Sequence, residues 1–186
     1  LNRRHLATKI AASHESPDVR TGVLGRLRQA VDTHFGDNAR FSDALLLSAA
    51  DLASQRAETL EAMPAEVSYL FTDPTWDAKE CVKFRKSVPS ATFRTVLNEA
   101  STWAEKADFS DTAALHDALQ AWIGQMAERE PPLEGGRAAV QKTLRIALTG
   151  RRAGPPVADI AALLGREQTI ARLQAAREYD ERQGST

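Results

Sequence analysis

Apolar side chains recur three and four positions apart along nearly the whole chain, and strict apolar–polar alternation is almost absent. The first pattern puts an apolar stripe on one side of a helix, whereas a half-buried strand needs the second. An all-α protein is therefore expected. With 186 residues, 42% of them apolar and 26% charged, the chain is too apolar for a disordered one and long enough for one large or two small domains. No apolar run approaches the ~18 residues of a membrane span, and "LNRRHLATKI" at the start lacks the apolar centre of a secretory signal. A cytoplasmic protein with no membrane partner is expected. It begins at Leu1 rather than Met, as a domain trimmed from a longer protein would. The single cysteine, Cys81, has no Cys or His at zinc spacing and reads as a small buried hydrophobe.

Punctuation divides the helical pattern. A first segment covers "LNRRHLATKIAASH", and a second opens at Ser16-Pro17-Asp18, a cap followed by Pro at the first helical position, and runs to about Phe35. Gly36-Asp37-Asn38 breaks it, and a long helix is expected from Ser42-Asp43 to about Ala62, before Pro64. The stretch "TDPTWD", residues 72–77, joins a turn proline to capping residues, so a boundary is placed there, with subdomains 1–76 and 77–186. The second opens with "DAKECVKFRKS". It continues through a helix from Ser87-Val88-Pro89-Ser90 to about Lys106, and another capped by "FSDT" and ended by Pro131-Pro132 and Gly135-Gly136. A basic helix from about Arg137 to Thr149, a Gly-Pro-Pro turn, a short helix to Leu164 and a last helix after Gly165 follow. Two helical subdomains are the expected architecture.

The net charge of -1 hides a local bias. Arg137, Lys142, Arg145, Arg151 and Arg152 follow one another with no acidic residue between them, and residues 1–30 carry Arg3, Arg4, Lys9, Arg20, Arg26 and Arg28 against Glu15 and Asp18. Two basic zones on a neutral protein suit an anionic partner, or else are solvated helix faces. In the basic helix Val140, Leu144, Ala147 and Leu148 make an apolar stripe, leaving Gln141, Lys142, Arg145 and Thr149 on the other side. Guanidinium forks suit phosphate oxygens and base edges, and the Gly154-Pro155-Pro156 turn beside them can offer a preformed apolar ledge or simply start a helix. Arg56 falls on the stripe of Leu45, Ala49, Leu52 and Leu60, where a guanidinium must pair or point at a ligand.

Catalytic and metal patterns are absent. The histidines His5, His14, His34 and His116 are scattered, and no Ser-His-Asp or paired-carboxylate arrangement stands out. "GVLG", residues 22–25, has the spacing of a KH loop without its strands. The aromatics Trp76, Trp103, Trp122, Tyr69, Phe71, Phe84, Phe93 and Phe109 are read chiefly as helix packing, with base stacking as the alternative.

The last third, "LRIALTGRRAGPPVADIAALLGREQTIARL" (144–173), resembles the C-terminal signature of bacterial glutamyl-tRNA synthetases: L-R-x-A-L-T-G, a proline-bearing turn, then L-L-G-[KR]-E and R-L. "QRAETLEAMPAEVSYLF" (55–71) resembles that family's R-x-x-T-L-x-E segment with its aromatic ending, and "LNRRHL" (1–6) the stretch that follows the catalytic core. The likeness covers essentially the whole chain. It departs where the family usually has Pro before the L-R pair, here Thr143, and where a turn position often held by a hydroxyl residue is Gly154.

The resemblance implies an all-helical anticodon-binding region that grips tRNA(Glu), with tRNA(Gln) left open as a second partner, and acts as a monomer. The arginine matching Arg56 would help read the third anticodon base, while Arg145, Gly154, Pro155 and Val157 would hold the loop bases. Lys142, Arg151 and Arg152 are candidates for phosphate contacts. The full-length relative uses ATP and magnesium to form glutamyl-adenylate before glutamyl transfer. This segment shows neither an H-I-G-H-like motif nor a nucleotide-binding pattern, so no cofactor and no catalytic residue is expected in it. "KFRKS" (83–87) has the K-x-x-K-S spacing of a class I signature loop, but its helical context makes it a surface helix. The competing reading is a helical protein-interaction module, from a paralogue that lost tRNA binding.

Overall fold

A computed structural model of the chain describes residues 3–36, 41–54 and 56–184. Expected features at Leu1, Asn2, Asp37, Asn38 and Gln55 lie outside the described residues. Among the described residues the ordered elements are helices: α1 (Arg3–Glu15), α2 (Pro17–Phe35), α3 (Asp43–Ser54), α4 (Met63–Glu66), a 3-10 turn (Ser68–Leu70), α5 (Lys79–Arg85), α6 (Ser90–Lys106), α7 (Thr112–Glu128), α8 (Gly136–Thr149) and α9 (Val157–Gly184). The all-helical reading holds. The chain divides into two compact units, Leu1–Thr72 and Asp73–Thr186.

In the first unit α1, α2 and α3 pack on one another, and α4 closes against α2 and α3. Ile10, Val23, Leu27, Val31, Leu46 and Met63 form its buried centre. The long third helix expected to reach Ala62 stops at Ser54. The Ser54 hydroxyl donates to the Asp51 carbonyl at 2.7 Å, and Arg56 and Ala57 both bring their N–H groups to the Ala53 carbonyl, so the chain turns. The turn puts Ala57 and Leu60 into the core and leaves Arg56 exposed, so Arg56 does not interrupt a core-facing stripe as the periodicity implied.

In the second unit α8 is the central helix, packed against α5, α6, α7 and α9. Val140, Thr143 and Ala147 are fully buried, and the hydroxyl of Thr143 donates to the Ala139 carbonyl at 2.8 Å, so the residue standing in place of the usual proline is satisfied inside the helix. Helix α7 starts as the sequence indicates, with Asp111 Oδ1 accepting from Ala113 and Ala114 N–H at 2.8 and 3.0 Å. Helix α8 stops at Gly150, whose left-handed φ of 64° and close approach to the Thr75 carbonyl, 2.9 Å from where a Cβ would sit, require glycine. Helix α9 breaks helical geometry at Gly165.

Three carbonyls near the end of α8 accept from side chains. Trp76 Nε1 donates to the Ile146 carbonyl at 3.0 Å, Arg172 Nη1 to that of Leu148 at 2.8 Å, and Thr149 Oγ1 to that of Arg145 at 2.7 Å. A buried guanidinium at a helix C-terminus also complements the helix dipole. These bonds fix the strand of backbone from which the next turn departs.

Candidate nucleic-acid interface

With α8 surrounded on most sides, one arc of it reaches solvent: Arg137, Ala138 and Gln141 are exposed, and Lys142 and Arg145 are half-buried. Thr149, expected on this arc, is instead buried, with its hydroxyl turned back onto the helix. The burial of Ile146 and Thr143 alongside Val140, Leu144 and Ala147 explains it, because a helix with neighbours on four elements hides a wider face than one apolar stripe.

Beside this arc lies a cavity of about 360 Å³ lined by Lys142, Arg145, Arg152, Gln120, Gln141 and Phe84 over Ile123, Ala138, Pro156 and Val157. Its charged lining residues are all cationic. Such a lining attracts anions, and its apolar floor excludes water from part of their contacts. The donor set, guanidinium, ammonium and amide, suits phosphate oxygens and base edges rather than a magnesium ion.

Arg145 organises the turn. Its Nη1 donates to the Pro155 carbonyl at 2.8 Å, spanning the loop that connects α8 to α9. Gly154 gives the approach room, since a Cβ there would lie 2.9 Å from the same nitrogen and the guanidinium would have to shift. Pro155 is buried behind this bond, while Pro156 is exposed and lines the cavity with Val157, the first residue of α9. Arg152 is exposed at the rim, and Arg151 is half-buried, its N–H on Thr149 Oγ1 at 3.1 Å. Thus Lys142, Arg145, Arg152 and Val157 line one cavity of the second unit, with Gly154 and the buried Pro155 in the turn that Arg145 holds. Arg56 lies on the first unit, in the exposed turn after α3.

Of the lining residues, Gln120 was passed over in the sequence, and Phe84 was read chiefly as helix packing with base stacking as the alternative. Gln120 belongs to α7, and its Oε1 accepts from Arg137 Nη2 at 2.7 Å. Phe84 sits in "KFRKS", the segment read as a surface helix, which its exposed Lys83, Lys86 and Ser87 bear out; α5 also packs on α8, and Lys142 Nζ lies 3.5 Å from Ser87 Oγ and 5.9 Å from the centre of the Phe84 ring. The next residue, Arg85, turns the other way, to Asp180 and over the Phe93 ring. The available signal was the run of cations around an aromatic, though no periodicity could pair it with a helix more than 50 residues on.

A family model for the anticodon binding domain matches residues 23–177. Among curated proteins, a glutamate-tRNA ligase of Streptomyces avermitilis is 31% identical over 137 residues, which is 73% of this chain and 25% of the relative. One from Mycobacterium ulcerans is 34% identical over 158 residues, covering 82% of this chain and 29% of the relative. The chain thus spans about a quarter of the length of the curated relatives it matches. The crystal structure of a glutamate tRNA ligase from Elizabethkingia meningosepticum, in complex with its amino acid, superposes with a TM-score of 0.68 at 21% identity, over 91% of this chain and 31% of that one. At that identity the likeness concerns the fold.

Proposed function

The chain belongs to the anticodon binding domain family, and from that membership we propose that it is the tRNA-reading part of a glutamate-tRNA ligase, with anticodon-loop nucleotides seated on the exposed arc of α8. The observation that carries this reading is the Arg145 anchor, which holds the Gly154–Val157 turn beside a cavity whose charged residues are Lys142, Arg145 and Arg152. A prearranged turn and a cationic rim bind a loop with little ordering cost. Lys142, Arg151 and Arg152 contact phosphates, the turn and Val157 shape the seat of the bases, and Arg56, exposed on the first unit, reads the third anticodon base.

In the whole enzyme, ATP and magnesium would serve the formation of glutamyl-adenylate and glutamyl transfer to the tRNA 3′ end, carried out by other residues. This chain contributes selection of tRNA(Glu), and tRNA(Gln) is accepted as well where the third base is not discriminated. It works as a cytoplasmic monomer on this reading. Among the described residues, no helix is long and apolar enough to cross a membrane.

Equilibrium binding of the chain to tRNA(Glu) across a salt series tests the proposal. Affinity should fall with salt, log K dropping by roughly 0.7 to 0.9 per log unit of salt for each phosphate neutralised. Binding without salt dependence, or without preference for tRNA(Glu) over an unrelated tRNA, would overturn it in favour of a helical protein-interaction module.

A further inference from the structure

We propose that Phe84, presented by the "KFRKS" turn, is a stacking platform for one unpaired nucleobase, and that Lys142 is tethered beside it for the adjoining phosphate. The proposal rests on the tRNA reading above and gives one subsite of that surface its chemistry. Phe93 and Phe71 are 2% and 5% exposed and belong to the cores, whereas Phe84 is half-buried and is the aromatic side chain lining the cationic cavity. Among the described residues no other ring packs against it.

The backbone around Phe84 is fixed. Its carbonyl accepts from the Ser87 hydroxyl at 2.7 Å and the Ser87 N–H at 3.0 Å, and α5 is held at its other face by Arg85, bonded to Asp180 and to the Val88 carbonyl. A ring held this way is ready to stack without first being ordered. Lys142 Nζ reaches Ser87 Oγ at 3.5 Å and lies over the same ring, 5.9 Å from its centre, which leaves the opposite face for a base.

A volume of about 360 Å³ admits one base with water, and the polar lining states which edge it favours. Lys142, Arg145 and Arg152 can only donate, and Gln120, whose Oε1 already accepts from Arg137, and Gln141 each add an amide N–H₂ beside an acceptor oxygen. Donors predominate, so the base should present carbonyl acceptors. Stacking is sequence-tolerant, and the amide supplies the preference.

The test uses the 186-residue chain with tRNA(Glu) transcripts, intact or carrying one abasic nucleotide at each anticodon-loop position in turn. Thermal melts establish that each variant is folded. Phe84→Leu should weaken binding of intact tRNA by about 5- to 100-fold, as loss of a base–aromatic stack does, with the salt slope unchanged because no charge is removed. Phe84→Tyr should bind like the parent chain. On one abasic transcript the parent should fall to the level of Phe84→Leu, and the variant should lose nothing more. Near-equal binding of Phe84→Leu and parent, equal losses on every abasic transcript, or a loss in Phe84→Tyr as large as in Phe84→Leu would each overturn the proposal while leaving the tRNA reading standing. Failure of the parent to prefer tRNA(Glu) would overturn both.

Discussion

Arg145 and Pro155 are joined by a 2.8 Å hydrogen bond from guanidinium to carbonyl, and a Cβ at Gly154 would stand 2.9 Å from the donating nitrogen. The arginine thus shapes the turn before it touches any ligand. Gly154→Ala should make the guanidinium shift and destabilise the second unit by less than about 1 kcal/mol, because the atom met is the far end of a flexible side chain. Urea denaturation measures it. In an Arg145→Ala background the same substitution should cost clearly less, because the atom it meets is gone; equal costs in the two backgrounds would disconnect the pair.

Asp180 accepts from Arg85 through Nε at 3.0 Å and Nη2 at 2.6 Å, and from Arg94 Nε at 3.1 Å. The side chains of Asp180 and Arg85 are 11% and 18% exposed, and that of Arg94 is 52% exposed. Asp180→Ala should therefore cost about 2 to 3 kcal/mol, somewhat below a fully buried broken pair, because it strands the Arg85 guanidinium between α5 and α9. Arg94→Ala should cost less than about 1 kcal/mol, as exposed pairs do. Comparable losses from the two variants in denaturant melts would contradict this division.

How much of this was legible beforehand varies with the physics involved. Helices whose ends carry their own chemistry, Asp111 before α7 and Gly150 after α8, are readable because cap and turn are local. The third helix was overextended because Leu60 continues the helical spacing of Leu45, Ala49 and Leu52, while the turn after Ser54 carries no proline or glycine to mark it. In the candidate site, Arg145 and the Gly154 turn stand within one short run, and the family likeness supplied their partner. Gln120 did not show, and Phe84 stood only among the aromatics for which stacking was the alternative, since α5 and α7 meet α8 only through tertiary packing. Arg172 stood out only as part of an R-L motif; its burial under the last carbonyls of α8 is a long-range fact as well.

The thiol of Cys81 is buried, and burial pushes its pKa above the ordinary 9.0, with the Asp77 charge adding to the shift. A raised acid pKa means that the folded state keeps its proton longer than the unfolded one. The associated stability is complete below pH 9 and is lost as the pH rises through 9.0 toward the folded value. Cys81→Ala, though less stable near neutrality from the small cavity, should lose less stability than the parent between neutral pH and about pH 10. Parallel pH profiles from chemical denaturation would show that Cys81 contributes nothing to the alkaline loss. Alkylation of the folded chain at neutral pH should also be slow, because the thiolate is the reactive form.

Arg56 stands where α3 gives way to the turn carrying the buried Ala57 and Leu60, so its backbone is pinned from below while its side chain faces solvent. Replacing it should therefore disturb the fold little and recognition more. Arg56→Gln should shift stability by less than about 0.5 kcal/mol, as an exposed substitution does. If its guanidinium reads the third anticodon base through a specific contact, the variant should lose about 1 to 3 kcal/mol of discrimination between transcripts differing only at that base. It would bind the correct transcript more weakly and the incorrect one nearly as before. That asymmetry separates reading from simple attraction: a lost phosphate contact lowers affinity for every transcript alike and reduces the salt slope by about one phosphate's worth. Competition binding with the two transcripts at two salt concentrations distinguishes the cases, and an unchanged ratio removes Arg56 from the reading site.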